Sequence, residues 1–290
     1  MIKQETVYEM RLVSALEKVF LDERPVYRPE CMKLTALKGE TVSFQAACTC
    51  TSFMKNRVKV RIESPISDRI HVRKVENVPA GRVCGPIVDD NYLKTESGLY
   101  PDLLRELVDG EVDIFPQKWR SIWIDIEVTE DVKAGLYPVT VILEKDGETL
   151  ARAATEVTIY DAVLPKQKMM HTEWFYLDCL ADYYHVPVFS EEHWEIITNY
   201  LKEYVKRGCN MILTPLFTPA LDTAVGIERT TTQLLDVRVE NGNYSFGFDR
   251  VKKWIDLCQS CGIEYFEICH LFSQWGAKYA PKVMAVVNGK

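Results

Sequence analysis

Apolar and polar residues alternate one by one along several segments of the first half of the chain. Ile122, Ile124, Ile126 and Val128 interleave with Trp123, Asp125 and Glu127. Tyr137, Val139, Val141 and Leu143 repeat the pattern, as do Val42, Phe44 and Ala46, and Val58, Val60 and Ile62. A period of two sends one set of side chains into a core and the other to solvent, so these runs are expected strands. Turn residues separate them: Lys38-Gly39, Ala134-Gly135 and Asp146-Gly147, the last between two strand runs as in a hairpin. The pattern predicts a sandwich of antiparallel sheets over residues 1–165. Residues 88–118 lack the rhythm and read as a long excursion carrying Tyr100-Pro101-Asp102-Leu103-Leu104.

After Leu164-Pro165 the pattern becomes an alternation of strand and helix. A strand is expected over Thr172–Leu177, followed by a helix capped by Ser190, with Glu191 and Glu192 at the positive end of its dipole. Trp194, Ile197, Leu201 and Tyr204 form one apolar stripe, and Gly208 ends the helix. Met211-Ile212-Leu213 is a second short strand, and a loop of roughly thirty residues follows with its own turn at Asn241-Gly242. A second helix begins at Asp249 with Val251, Trp254, Ile255 and Cys258 on one face, Gly262 stops it, and Ile263–Cys269 is a third strand. Strands joined by helices pair in parallel, usually with both faces covered. The chain is therefore expected to be multi-domain, β plus α/β: an N-terminal antiparallel β-sandwich over residues 1–165, then the first part of a (β/α)8 TIM barrel over residues 170–290. A barrel needs eight such strands. The sequence ends at Asn288-Gly289-Lys290 without a closing element, so the barrel reads as truncated.

Composition narrows the partners. Thirty-five Lys and Arg against 42 Asp and Glu give a net charge of −7 without any basic run. Phosphate backbones attract the opposite sign, so nucleic acid is not an expected partner. No stretch approaches the roughly 20 apolar residues of a membrane-spanning helix. The first residues, Met1-Ile2-Lys3-Gln4-Glu5-Thr6, lack the apolar core of a secretory signal, which points to the cytoplasm. Nine cysteines without framework spacing agree with reduced thiols. Cys48 and Cys50 share a strand face, and Cys258-Gln259-Ser260-Cys261 lies at a helix end without a second CxxC or His pair, so no metal or other cofactor is expected.

The chemistry-bearing residues gather where strands are expected to end, the catalytic end of such barrels. These segments are His171–Cys179, Thr214–Gln233 and Glu267–Ala277. Each mixes aromatic rings with hydrogen-bonding groups, which suits a sugar: one ring face is apolar, and the hydroxyls need fixed donors and acceptors. The candidate substrate-binding residues are Trp174, Asp178, Arg229, Glu267, His270, Gln274 and Trp275. Blander readings stand beside them. Trp174 and Trp275 are also plausible packing aromatics, Glu173 an exposed strand residue, Glu228-Arg229 a solvated pair and His270 a hydrogen-bonded structural residue. His185 and His193 read as surface residues. HExxH, GxSxG, GxGxxG and P-loop motifs are absent, and a metal-dependent hydrolase on His171, Glu173 and His270 is a third reading.

Thr172-Glu173-Trp174-Phe175 with Asp178-Cys179, Leu213–Pro219 with Leu221-Asp222-Thr223, and His270–Ala277 with Ala280-Pro281-Lys282 resemble bacterial proteins of the domain of unknown function 4091 group, relatives of glycoside hydrolase family 123. Ser43-Phe44-Gln45-Ala46, Gly98–Asp102 and Ala134–Tyr137 extend the resemblance over nearly the whole chain. It implies a sandwich and a catalytic barrel acting as an exo-β-N-acetylhexosaminidase of the N-acetylgalactosaminidase type, with retention. The substrate's own acetamido group would attack the anomeric carbon, helped by an adjacent Asp-Glu pair after a later strand, an exception to the usual two-carboxylate scheme. Asp89-Asp90 and Glu191-Glu192 lie in the wrong places, so no catalytic residue is expected within residues 1–290 and this fragment is expected to be inactive. The competing reading is a non-catalytic carbohydrate-binding or scaffold protein.

Overall fold

The computed structural model describes residues 6–26, 28, 32–52, 54–81, 91–219, 227–272, 277 and 280–290. Two compact units, Met1–Pro165 and Lys166–Lys290, divide the chain.

The first unit holds two five-stranded sheets. Strands β1 (Tyr8–Ser14), β3 (Thr41–Cys50), β5 (Ile70–Ala80), β6 (Gly98–Glu106) and β8 (Arg120–Glu127) form one, in the order β1-β3-β8-β5-β6, all antiparallel. Strands β2 (Lys33–Lys38), β4 (Asn56–Glu63), β7 (Glu111–Ile114), β9 (Gly135–Lys145) and β10 (Glu148–Val163) form the other, in the order β2-β10-β9-β4-β7. Both sheets supply the core: Phe44, Ile122, Ile124 and Ile126 from the first and Val58, Val139, Val141, Leu143 and Val157 from the second share one buried cluster. Each such side chain contributes roughly 1.5–3 kcal/mol by leaving water. Asp146 (φ 53°) and Gly147 (φ 84°) make the β9–β10 turn, which demands left-handed residues at both centres.

The antiparallel expectation fails at one pair. β2 runs parallel to β10, with Lys33 opposite Glu156 and Ile159 opposite Ala36. The cause is the turn at Gly39 (φ 90°), which carries the chain from one sheet to the other instead of closing a hairpin between β2 and β3. Residues 98–106, read as an irregular excursion, are a nine-residue edge strand. Among the described residues only one side of β6 is paired, Leu99 and Leu103 are exposed, and Pro101 is tolerated there, so alternation is lost from the sequence. The outer face of β8 is not solvated throughout. Asp125 is 6% exposed; its carboxylate accepts from Ser43 Oγ (2.6 Å) and Trp123 Nε1 (2.7 Å) and pairs with Arg73. Nearby, the Gln45 amide donates to the carbonyls of Ser14 (2.9 Å) and Glu17 (2.8 Å), pinning that segment over the sheet.

The second unit contains α1 (Leu177–Tyr184), α2 (Glu191–Lys206), β11 (Met211–Thr214), β12 (Asp236–Glu240), β13 (Asn243–Gly247), α3 (Asp249–Cys261), β14 (Tyr265–Ile268) and β15 (Val286–Val287). β11 and β14 pair in parallel, Met211 opposite Tyr265 and Leu213 opposite Glu267, with α3 between them in sequence. The hairpin β12–β13 turns on Asn241 (φ 50°) and Gly242 (φ 81°), and β15 joins β12 in parallel. Ile197 and Leu201 of α2, Trp254 and Cys258 of α3 and Ile212 of β11 form the core. Ser190 caps α2 by accepting from His193 N (3.2 Å). Gly262 (φ 107°) ends α3 in the left-handed conformation that glycine meets without strain. No helix among the described residues is long and apolar enough to cross a membrane.

The strand expected over 172–177 is absent: residues 171–176 have no regular structure and Leu177 already opens α1. His171 O still accepts from Asn210 N and Met211 N (3.1 Å each), so the segment lies beside β11. Beyond that point the Tyr204 hydroxyl takes the backbone groups that a ladder would use. His193 also departs from its surface reading. It is fully buried, accepts from Phe189 N at Nδ1 (3.0 Å) and faces the Leu177 carbonyl with Nε2 (3.0 Å). Both bonds are met by the neutral tautomer with its proton on Nε2.

Removing the Phe44 ring with Phe44→Ala is expected to cost about 3–5 kcal/mol in a denaturant titration of the first unit. Burial pushes the His193 pKa below its ordinary value of 6.5, only partly offset by the Leu177 carbonyl. The unfolded chain therefore takes up this proton first as pH falls. Stability of the second unit should be unaffected by His193 well above pH 6.5. It should decline below that value, by up to about 1.4 kcal/mol per pH unit, until the folded-state pKa is passed. Denaturant titrations at several pH values should show this slope in the wild type and lose it in His193→Gln; an equal slope in both would contradict the assignment.

Candidate functional site

Two clusters collect the candidate residues that the described structure contains. In the first, Trp174 donates from Nε1 to Glu267 Oε2 (3.2 Å), and its ring stacks on His270 with centroids 6.1 Å apart and planes 28° from parallel. Register explains the meeting. Glu267 is the third residue of β14 and His270 follows its end, while Trp174 lies three residues beyond the His171 contact with β11. Trp174 remains 45% exposed, beside a carboxylate and an imidazole. Among the described residues His270 Nε2 is buried without a hydrogen-bond partner.

In the second cluster, Asp178 and Arg229 form an ion pair, Nε to Oδ2 at 2.7 Å, with side chains 5% and 16% exposed. The guanidinium lies over the Tyr176 ring, 4.5 Å from its centroid, and reaches Cys179 Sγ (3.6 Å). Burial first, and then the Asp178 charge, push the Cys179 thiol up. Among the described residues Asp178 Oδ1 is buried without a hydrogen-bond partner. Thr230 adds a second tie to α1 by donating to Asp182 Oδ1 (2.7 Å). Asp178 and Asp182 stand four residues apart and hence on one side of α1, gripping consecutive residues of the 229–230 segment. Glu228 turns elsewhere, to Lys282 Nζ (2.5 Å), so Glu228 and Arg229 serve different partners rather than forming a surface pair. Gln233 is 4% exposed; its amide donates to Leu235 O and Met284 O, and its Oε1 accepts from Met284 N.

Gln274 and Trp275 lie outside the described residues. The sequence pattern names Tyr176 and Lys282 only within longer segments and does not point to Asp182; the Asp178–Asp182 spacing is the available signal, hidden by the strand-like composition of Thr172–Leu177. A hollow of about 400 Å³ bounded by Phe189, Gln233, Asp236, Arg250 and Met284 contains none of the candidate residues. Nor does the groove of about 990 Å³ along β1, β2 and β10 of the first unit. His171 faces Glu173 (Nε2 to Oε1, 3.3 Å) and Cys209 (Nδ1 to Sγ, 3.8 Å), whereas His270 stacks on Trp174. Among the described residues no group of three or more His, Cys, Asp or Glu could hold a metal ion. Cys258 and Cys261 are free thiols, and burial pushes Cys258 well up.

The glycoside hydrolase 123 N-terminal domain model matches residues 20–145, and the glycoside hydrolase 123 catalytic domain model matches residues 174–289. A solved family 123 glycoside hydrolase from Clostridium perfringens, studied for glycolipid glycan hydrolysis, has the same fold: TM-score 0.67 at 18% identity, over 89% of this chain and 46% of that one. The chain thus spans less than half the length of that enzyme. The CARDB domain of a Pyrococcus furiosus protein matches only at TM-score 0.27 and 6% identity, over 54% of this chain and 96% of its own. No curated protein matches the sequence. Two models of one family, covering both units in the order that family uses, establish that the chain belongs to glycoside hydrolase family 123.

Proposed function

We propose that the chain is part of an exo-acting β-N-acetylhexosaminidase of the N-acetylgalactosaminidase type, and that its second unit supplies sugar-facing residues. The observation that carries the reading is the half-exposed Trp174 ring, braced by Glu267 and His270 toward the end of a parallel strand pair. An aromatic face flanked by fixed polar groups matches the two-sided chemistry of a pyranose. Membership of the family supports a carbohydrate substrate and hydrolytic chemistry. The parallel register of β11 and β14, with residues 171–176 beside β11, supports reading them as opening strands of a (β/α)8 barrel.

In the complete protein the acetamido oxygen of the substrate attacks the anomeric carbon as the glycosidic bond breaks, and water later opens the cyclic intermediate with net retention. An adjacent Asp-Glu pair orients the acetamido group and moves the proton to the leaving oxygen. That pair is proposed to lie outside residues 1–290. Trp174, His270 and Glu267 then act in binding, with Gln274 and Trp275 proposed to join them. Asp178 and Arg229 fix the 229–230 segment to α1 at the edge of the site.

The complete protein is expected to release the chromophore from a p-nitrophenyl N-acetyl-β-galactosaminide with retention, read by proton NMR. Residues 1–290 alone are expected to leave it intact. Binding without cleavage by the complete protein would favour the non-catalytic carbohydrate-binding reading, and turnover by residues 1–290 would contradict the placement of the Asp-Glu pair. Trp174→Ala is expected to weaken binding roughly tenfold, about 1.4 kcal/mol. Arg229→Ala strands a buried carboxylate and is expected to cost about 3–5 kcal/mol of stability. Arg229→Lys, which keeps the charge, should cost less in the same thermal melt.

A further inference from the structure

Tyr204 of α2 belongs to none of the candidate sets, yet its hydroxyl enters between two backbone segments. Its oxygen accepts from Glu173 N (2.8 Å), and it lies within donating distance of Glu173 O (2.7 Å) and Met211 O (2.8 Å). A phenol has one proton, so it serves one carbonyl at a time and holds both close. Thr172 Oγ1 is 3.4 Å away, and the ring meets Phe175 edge-on with centroids 5.7 Å apart. Burial pushes the phenol up from its ordinary value of 10.0, which keeps the donating proton in place.

We propose that Tyr204 is the positioning residue for Trp174: its hydroxyl replaces the missing strand ladder and sets the backbone from which the Trp174 ring reaches Glu267 and His270. The inference rests on the reading of Trp174 as a sugar platform. The Glu173 N–H and C=O belong to the two peptide groups flanking Glu173, and the second of these is shared with Trp174. Tyr204 grips both. Among the described residues, beyond the bonds at His171 O, the hydrogen bonds that link residues 172–174 to β11 run through this side chain. The ring of Trp174 is meanwhile held from β14, through Glu267. Loss of the hydroxyl frees one end of that span while the apolar packing of the Tyr204 ring against Phe175 remains available to Phe.

The test is Tyr204→Phe in the full chain, with the Trp174 indole N–H followed by NMR and assigned through Trp174→Phe. The indole resonance should move toward the position of a free indole, and its hydrogen exchange should quicken about tenfold, the loss expected for one hydrogen bond. Trp119 and Trp123 of the first unit and the core Trp254 should keep their resonances. An unchanged Trp174 resonance in a folded Tyr204→Phe protein would overturn the proposal. If that variant does not fold, the wild type decides: the Glu173 amide, outside any strand, should exchange slowly, and exchange at the rate of an exposed coil would overturn it. Titration with N-acetylgalactosamine separates this from the platform reading. Tyr204→Phe should weaken binding, and adding it to Trp174→Ala should weaken it no further. If the wild type does not bind the sugar, the platform reading falls, and the indole and amide measurements still decide the positioning role.

Discussion

The parallel register of Met211–Thr214 against Tyr265–Ile268 fixes where the candidate chemistry of the second unit comes to lie. Setting Leu213 opposite Glu267 brings the carboxylate within reach of the Trp174 indole, and carries His270 past the strand end onto the same ring. A slip of one residue would turn Glu267 to the other face of its strand and separate it from Trp174. The buried stripes of α2 and α3 hold this register: Ile197, Leu201, Trp254 and Cys258 share one core with Ile212, and Trp254 Nε1 donates to Thr214 Oγ1 (3.3 Å) inside it. Packing remote from the Trp174 cluster thus sets its geometry.

Much of this was legible because it depends on short-range rules. Period-two alternation found Ile122–Ile126 and Val139–Leu143, both in the core, and Ser190, Gly208 and Gly262 marked helix ends by their local chemistry. The failures occur where a distant partner replaces a local signal. Thr172–Tyr176 has the composition of a strand, but the hydroxyl of a residue some thirty positions later takes its backbone bonds. Asp125 occupies an outward position of an alternating strand and is nevertheless buried, because Ser43, Arg73 and Trp123 from neighbouring positions satisfy it. His193 looks like one polar residue on a helix, and only the approach of α1 gives it a carbonyl to face. The Asp178–Arg229 pair likewise needs the fold of the intervening fifty residues before it exists.

The two clusters of the second unit differ in physical character. The Asp178–Arg229 pair is buried and strongly directional, so its worth lies in fixing geometry more than in net stability. Trp174 is half exposed and held at its edge by Glu267. In the proposed function the ion-pair cluster stiffens the rim of the site and the Trp174 cluster is the one offered to the carbohydrate.

The central claim, that the Trp174 face receives a sugar, is tested most directly by titrating isotope-labelled protein with N-acetylgalactosamine and following the indole and histidine side-chain resonances. The account requires the Trp174 indole and the His270 ring to shift together and saturably, with the resonances of the first unit unmoved. Saturable shifts elsewhere, with Trp174 and His270 unaffected, would contradict it.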